Sequence, residues 1–378
     1  MGHTRDRGKD HRRRWQAIAQ LPTGQRVTQS FEKKLDADRW WQEQEQKVRA
    51  GTYVDPRAGR VVLSVLAELV LAEREPGLQN QTKDKRRSLW RNQLEPFLGD
   101  QPIGLIQHAT VRAWVATATE KWHPETVRPA FRLLKEILDV AIEDDLLTRN
   151  PAVDKRGRPP ANMPASRATE IRVLDPKEFA ALLRATTVGY RRALILGYGA
   201  GLRWEEAAGL HLATTRDGGG LDLKAGEIRV RQVLEESRAG LLLRAYPKSA
   251  AGRRTIPLAP TIVAALEADL DQIPAGEQGA VILGPEGKWL RRSNFSRRVM
   301  KPAVLKAELH APAPTFHDLR HSFATELLAG GLDVETLRHR LGHSDQRMVG
   351  RYTHLAADAR ERTVKVAEQR LGAAFRLG

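Results

Sequence analysis

The chain has 378 residues, too many for one ordinary domain, and carries 62 Lys+Arg against 46 Asp+Glu, a formal charge of +16. That excess is gathered in clusters, the electrostatic footprint of a protein that binds nucleic acid. Cysteine is absent, which excludes disulfides, thiol nucleophiles and Cys-ligated zinc and fits a reducing cytoplasm. No apolar run approaches the ~20 residues of a membrane-spanning helix. The opening "MGHTRDRGKDHRRRW" lacks the apolar core of a secretory signal, and Asp6 stands where a myristoylation signal wants Ser or Thr.

Residues 1–15 combine six Arg/Lys with two Asp and read as a flexible basic arm, with Arg12, Arg13 and Arg14 as expected DNA contacts. Trp15, Ala17 and Ala19 then alternate as a strand does. Pro22 to Gly24 is turn chemistry, and Val27 and Phe31 suit a second strand. Asp36 to Arg49 has helical spacing through Trp40, Trp41 and Val48. Residues 1–57 are therefore expected to form a small sheet with one helix. Such a unit is either a structural cap or, given the arm, a DNA-binding domain.

Residues 58–150 read as a bundle of four helices. The second, "TKDKRRSLWRNQLEPFLG", has Thr82 as its expected N-cap, an apolar stripe of Leu89, Trp90, Leu94 and Phe97, and Gly99 as its stop. Residues 151–172, rich in proline and basic residues, are expected to be an exposed interdomain linker, with Lys155, Arg156 and Arg158 near a phosphate backbone. Residues 173–378 read as a mixed α+β domain. "DPKEFAALLRAT" and "YRRALILGYGAGLRWEEAAGL" suit helices; "GEIRVRQVLEE", "GLLLRAYPK" and "GRRTIPL" suit short strands. "GKWLRRSNFSRRVMK" holds six Arg/Lys and no acid. It reads as a basic helix capped by Ser293, with Arg291, Arg292, Arg297 and Arg298 against DNA phosphates. The fold class expected is thus multidomain and mainly α.

"TFHDLRHSFATEL" sets His317, Arg320 and His321 within five residues, so all three can project toward one place. Three readings compete. His317 and His321 could bind zinc, Arg320 could clamp an anion, or the helix could be a histidine-rich surface. A zinc-protease helix wants glutamate directly after its first histidine, and here Asp318 stands there. The stretch has company: Arg203 and Glu206 in "GLRWEEAAGL", Lys248 in "YPKSAAGRRTIPL", then His343 and Tyr352 in "LGHSDQRMVGRYTHL".

Arg203, Lys248, His317, Arg320, His343 and Tyr352 together suit phosphodiester cleavage. Arginines can neutralise the non-bridging oxygens where charge builds at a five-coordinate phosphorus. Tyr352 supplies a nucleophile whose unperturbed pKa of ~10 demands cationic surroundings and a base. Lys248, at an apparent hairpin turn, could protonate the leaving 5′ oxygen, and the histidines can carry protons at neutral pH. Arg253 or Arg254 competes with Lys248 for the phosphate. No metal and no other cofactor is called for.

These motifs, in this order, resemble the tyrosine recombinases, more narrowly the phage-type integrases. The resemblance is strongest over 173–356 and extends to "LEPFLGDQPIGLI" in the helical region. It implies that Arg203, Lys248, His317, Arg320, His343 and Tyr352 form the catalytic set, with Glu206 in support; His321 beside them reads as a supporting structural residue or phosphate donor and not a proton carrier. It further implies an arm-binding domain over 1–57, a core-binding domain over 58–150 and a catalytic domain over 173–378. The partners implied are double-stranded DNA attachment sites and a homotetramer on DNA. A directionality factor or host DNA-bending protein would join them, all at the nucleoid of a bacterial host, with no membrane. "ATTRDGGGLDL", after Leu212, departs from the family's aromatic-plus-acidic continuation. The rival readings are a non-catalytic DNA-binding regulator, a topoisomerase-like strand passer and a zinc metalloprotease.

Overall fold

A computed structural model describes residues 2–20, 26–50, 58–166, 171–213, 218–245, 252–276 and 279–342. They fall into two units, Met1–Ala168 and Thr169–Gly378. No helix among the described residues is long and apolar enough to cross a membrane.

In the first unit β1 (His3–Asp6), β2 (Trp15–Gln20) and β3 (Arg26–Phe31) form an antiparallel sheet in the order β1-β2-β3, covered by α1 (Lys34–Arg49). The alternation in β2 buries Ala17 and Ala19, and Ala37 of α1 is buried too; three small side chains let helix and sheet close together. The flexible arm expected over 1–15 is corrected here. His3 to Asp6 pair with β2, His3 opposite Ile18 and Asp6 opposite Trp15. The cause is local pairing of charge: Arg14 closes on the Asp6 carboxylate with contacts of 2.6–3.0 Å, and Thr4 donates to Asp38 of α1 at 2.5 Å.

The helical part of this unit contains α2 (Leu63–Arg74), α3 (Asn80–Leu89), α4 (Glu95–Leu98), α5 (His108–Lys121) and α6 (Pro124–Glu143). Leu66, Val70, Trp90, Leu94, Val115 and Leu138 meet in its core. The cap of α3 is Gln79 and not Thr82, because the N–H groups of Thr82 and Lys83 both donate to the Gln79 carbonyl, which puts Thr82 inside the first turn. Between α3 and α4 the chain makes a π-turn, Trp90–Leu94, closed by the Glu95 N–H on the Trp90 carbonyl. Pro96 follows at once. Its ring would crowd the carbonyl four residues back in an α-helix, and the wider turn relieves this.

The expected linker is not exposed throughout. Asn150, Pro151 and Ala152 are buried. The Asn150 amide donates to the Lys135 carbonyl at 2.9 Å and to Asp139 at 2.6 Å, and its oxygen accepts the Ala152 N–H at 2.7 Å. A buried amide with three partners fixes this segment on α6, despite its shortage of large apolar residues.

In the second unit α7 (Pro176–Ala185), α8 (Arg191–Ala200), α9 (Trp204–Ala208), α10 (Pro260–Gln272), α11 (Arg292–Phe295), α12 (Lys301–Lys306), α13 (Phe316–Ala329) and α14 (Val334–Leu341) surround two small sheets. One sheet has the order β4-β5-β8, from β4 (Gly220–Asp222), β5 (Glu227–Val230) and β8 (Arg254–Pro257). The other pairs β6 (Gln232–Ser237) with β7 (Gly240–Ala245). The turn expected at Lys248 lies outside the described residues; β7 and β8, the described strands on either side of it, lie in different sheets. Helices α8 and α13 cross at Gly197, where a Cβ would stand 3.1–3.2 Å from Leu319 and Phe316. Trp204, Phe295 and Phe316 pack nearby with centroids 4.5–6.0 Å apart, Phe316 edge-to-face with the other two. A second π-turn, Ser296–Met300, joins α11 to α12, again just ahead of a proline, Pro302. The cap of α11 is Arg291 and not Ser293, because the Arg292 N–H reaches the Glu236 carboxylate at 3.0 Å.

Candidate active site

The site begins where α8 ends. Gly201 stops the helix at φ +64, and a Cβ there would lie 2.4 Å from the Phe323 ring. Only glycine meets both demands, left-handed backbone and close approach. Arg203 follows as N-cap of α9, and Glu206 at the third helical position turns back to accept the Arg203 N–H at 2.9 Å. One helical turn thus fixes both residues.

Glu206 is 1% exposed and lies among three guanidiniums. Arg254 forks onto it with bonds of 2.9 and 2.8 Å, Arg203 donates to it at 3.0 Å, and Arg320 stands 3.8 Å away. Burial alone would raise its pKa. The Arg254 hydrogen bonds, with the charges of Arg254, Arg320 and Arg203, outweigh this and bring it down to about 2. Glu206 is therefore ionised at neutral pH.

The same three arginines hold the end of α14. Arg254 Nε donates to the Arg340 carbonyl at 2.6 Å, Arg320 to Leu341 at 2.6 Å, and Arg203 to Gly342 at 3.3 Å. The last carbonyls of a helix lack partners within it and carry its negative dipole end, which cations satisfy. Arg320 also donates to the Gly201 carbonyl at 2.5 Å, tying the end of α8 to the end of α14.

Arg320 is 1% exposed and turns into the protein, whereas the Arg203 side chain is 27% exposed. The expected convergence of His317, Arg320 and His321 on one point is thus met only in part. The two imidazole rings meet edge to face at 4.5 Å. Although His317 is open to solvent on one side, protein packed about its ring, together with the charges of His321, Arg320 and Arg292, holds its pKa below the usual imidazole range; Asp318 pulls the other way. Asp318 itself takes the N–H and hydroxyl of Thr315, both at 2.7 Å, as a helix cap. That removes it as the base a zinc protease would need. Among the described residues no three His, Cys, Asp or Glu side chains gather as a metal site.

Lys248, His343 and Tyr352 lie outside the described residues. Of the expected phosphate contacts, Arg12 and Arg13 are exposed, while Arg14 is held by Asp6. Lys155, Arg156 and Arg158 are exposed on a turn closed by the Asp154 carboxylate, which accepts the Arg156 and Arg158 N–H groups. Arg291 bonds to Glu236 and the Ser237 carbonyl, and Arg292, Arg297 and Arg298 are exposed. A cleft of about 940 Å³ beside His108, Arg149 and Asn150 belongs to the first unit, and none of the arginine cluster lines it.

By sequence Arg254 is a candidate phosphate contact only. It is instead buried beside Glu206. The signal was its phase, since Arg254 and Ile256 share the inward face of β8.

Residues 172–359 match the phage integrase family, and residues 63–158 match the phage integrase central domain. An integrase of Mycobacterium phage D29 is 26% identical over 346 residues, covering 89% of this chain and 87% of that protein. A tyrosine recombinase XerC of Rhodospirillum centenum is 32% identical over 278 residues, covering 70% of this chain and 71% of that one. In fold the chain is similar to the Tn1549 transposon integrase in complex with transposon right end DNA, with a TM-score of 0.67 at 22% identity, covering 81% of this chain and 100% of that one. These matches leave the regulator and protease readings without support. The chain belongs to the phage integrase family of tyrosine recombinases, enzymes that carry out site-specific DNA strand exchange.

Proposed function

We propose that this recombinase integrates or excises a phage or related mobile element in a bacterial host, with Tyr352 as its nucleophile and double-stranded attachment sites as its substrate. The observation that carries this reading is the cluster around Glu206. Three guanidiniums against one carboxylate leave a local charge of 3 − 1 = +2, with Arg203 at the surface. Such a preorganised charge suits a phosphate whose non-bridging oxygens gain negative charge during attack.

In the proposed reaction the Tyr352 oxygen attacks phosphorus and the bond to the 5′ oxygen breaks. The phosphate stays on the 3′ end as a phosphotyrosyl ester. Lys248 protonates the departing 5′ oxygen, and His317 and His343 carry the phenol proton. The lowered pKa of His317 keeps its imidazole neutral at pH 7, so it can take up the phenol proton only in passing and hand it on. Arg203 meets the phosphate directly, and Arg320 adds its charge from beneath. The 5′-hydroxyl of a partner strand then attacks the ester and returns the proton to Tyr352. Bond number is conserved, so no energy source is consumed.

The exposed Arg292, Arg297 and Arg298 would lie along DNA, as would Lys155, Arg156 and Arg158, and residues 1–57 would hold arm-type sites. Four copies would assemble on paired sites, coupled by the segment after Tyr352. A directionality factor or DNA-bending host protein would set the outcome at the nucleoid. The test is Tyr352→Phe on a nicked duplex spanning the junction between the element and the host chromosome. It should bind DNA as the parent does and form no covalent adduct. An adduct formed by Tyr352→Phe would overturn the assignment.

A further inference from the structure

We infer that Arg254 is a positioning residue for strand cleavage, which keeps Glu206 from closing on Arg203. This rests on the reading that Arg203 meets the scissile phosphate. An ionised carboxylate has about four acceptor positions on two oxygens. Arg254 takes one on each oxygen, at 2.9 and 2.8 Å, in a fork-to-fork pair. The Arg203 backbone N–H takes a third at 2.9 Å. The Arg203 guanidinium takes the fourth, with a bond to Glu206 at 3.0 Å.

Arg254 cannot itself be the phosphate contact in this arrangement. Its side chain is 6% exposed, and its Nε is spent on the Arg340 carbonyl. What it does is saturate a buried anion three residues from Arg203. If Arg254 were absent, Glu206 would be an unforked carboxylate beside Arg203, within reach of a two-pronged pair with it. Arg203 would then be drawn inward and its charge neutralised. The Arg340 carbonyl would also lose its cation, loosening the end of α14 where Arg203 bonds to Gly342. Both effects act on Arg203, and neither removes a group from the DNA surface.

The test compares Arg254→Met, which keeps much of the side-chain volume, with Arg254→Lys and the parent, all as full-length protein. Each is assayed for affinity and for single-turnover cleavage at saturating nicked junction duplex. Arg254→Met should cleave at least tenfold more slowly while its affinity changes less than about threefold. Arg254→Lys, with charge but no fork, should fall between. In a Glu206→Gln background, where the carboxylate is gone and only the bond to the Arg340 carbonyl is left to lose, Arg254→Met should cost clearly less further rate than it does in the parent. A purely structural role would instead lower the active fraction and leave the cleavage rate of bound protein unchanged; that result overturns the inference. Additive losses in the Glu206→Gln background would overturn it as well. If Arg254→Met does not fold, the Arg254→Lys comparison carries the same decision. Arg203→Ala run alongside separates the two ideas. Normal cleavage by Arg203→Ala would sink the underlying reading, whereas slow Arg203→Ala with normal Arg254→Met and Arg254→Lys would sink this inference alone.

Discussion

Replacing Glu206 by glutamine removes one charge and almost no volume, so it isolates the electrostatics of the cluster. The folded pKa is about 2 against an ordinary 4.5. A difference of about 2.5 units corresponds to roughly 3 kcal/mol at neutral pH. Because the folded value is the lower one, this stabilisation is complete above the ordinary value and fades as pH falls toward 2. At pH 3.5 about 2 kcal/mol should remain, from the same linkage. The neutral-pH figure agrees with the roughly 3–5 kcal/mol expected when a buried charge loses its partner. The assay is urea unfolding of parent and Glu206→Gln at a series of pH values from 7 to 3, read by near-ultraviolet circular dichroism. The transition that the substitution moves should shift to lower urea at pH 7, and the gap should narrow steadily below pH 4.5. A gap under about 1 kcal/mol at pH 7, or one that does not change with pH, would refute the reasoning.

Arg203→Ala should slow cleavage by about 10²-fold or more while DNA affinity, measured by gel shift, changes little; EDTA should leave the parent's rate unchanged, and an EDTA inhibition that zinc reverses would revive a metal role for His317 and His321. Gly201→Ala should destabilise the second unit by about 2–5 kcal/mol, the sum of about 1–2 for left-handed backbone and about 1–3 for the clash with Phe323. A urea midpoint within error of the parent would show that the turn relaxes freely.

The helices were legible because apolar spacing is a local signal. The Leu89, Trp90, Leu94 stripe and the Gly99 stop both appear in the structure. The arginine that matters most to Glu206 was less legible. An arginine on a short strand looks like a surface residue until its carboxylate partner, 48 residues away, is known. The same holds for Asn150, whose burial depends on Lys135 and Asp139 of α6. "GEIRVRQVLEE" read as one strand and is two. Arg231 sits at the break, and its guanidinium donates to the Val230 and Arg254 carbonyls, so β5 and β6 part into different sheets. Polar contacts between residues far apart in the chain, invisible to periodicity, decided each of these cases.

Each π-turn spends one residue more than an α-helical turn would, and one residue turns a helix by about 100°. The extra residues before Pro96 and Pro302 therefore set the phase of everything downstream: they turn Leu98 inward in α4, and Ala303 and Val304 inward in α12. These two points are where the chain can change length by a single residue without redrawing its core. In a chain lacking one residue of Trp90–Leu94, Pro96 would fall inside a continuous α-helix, where its ring crowds the carbonyl four residues back at a cost of about 3 kcal/mol. Length and proline content at each point are therefore coupled physically: the extra residue is lost at least cost when the proline is replaced with it.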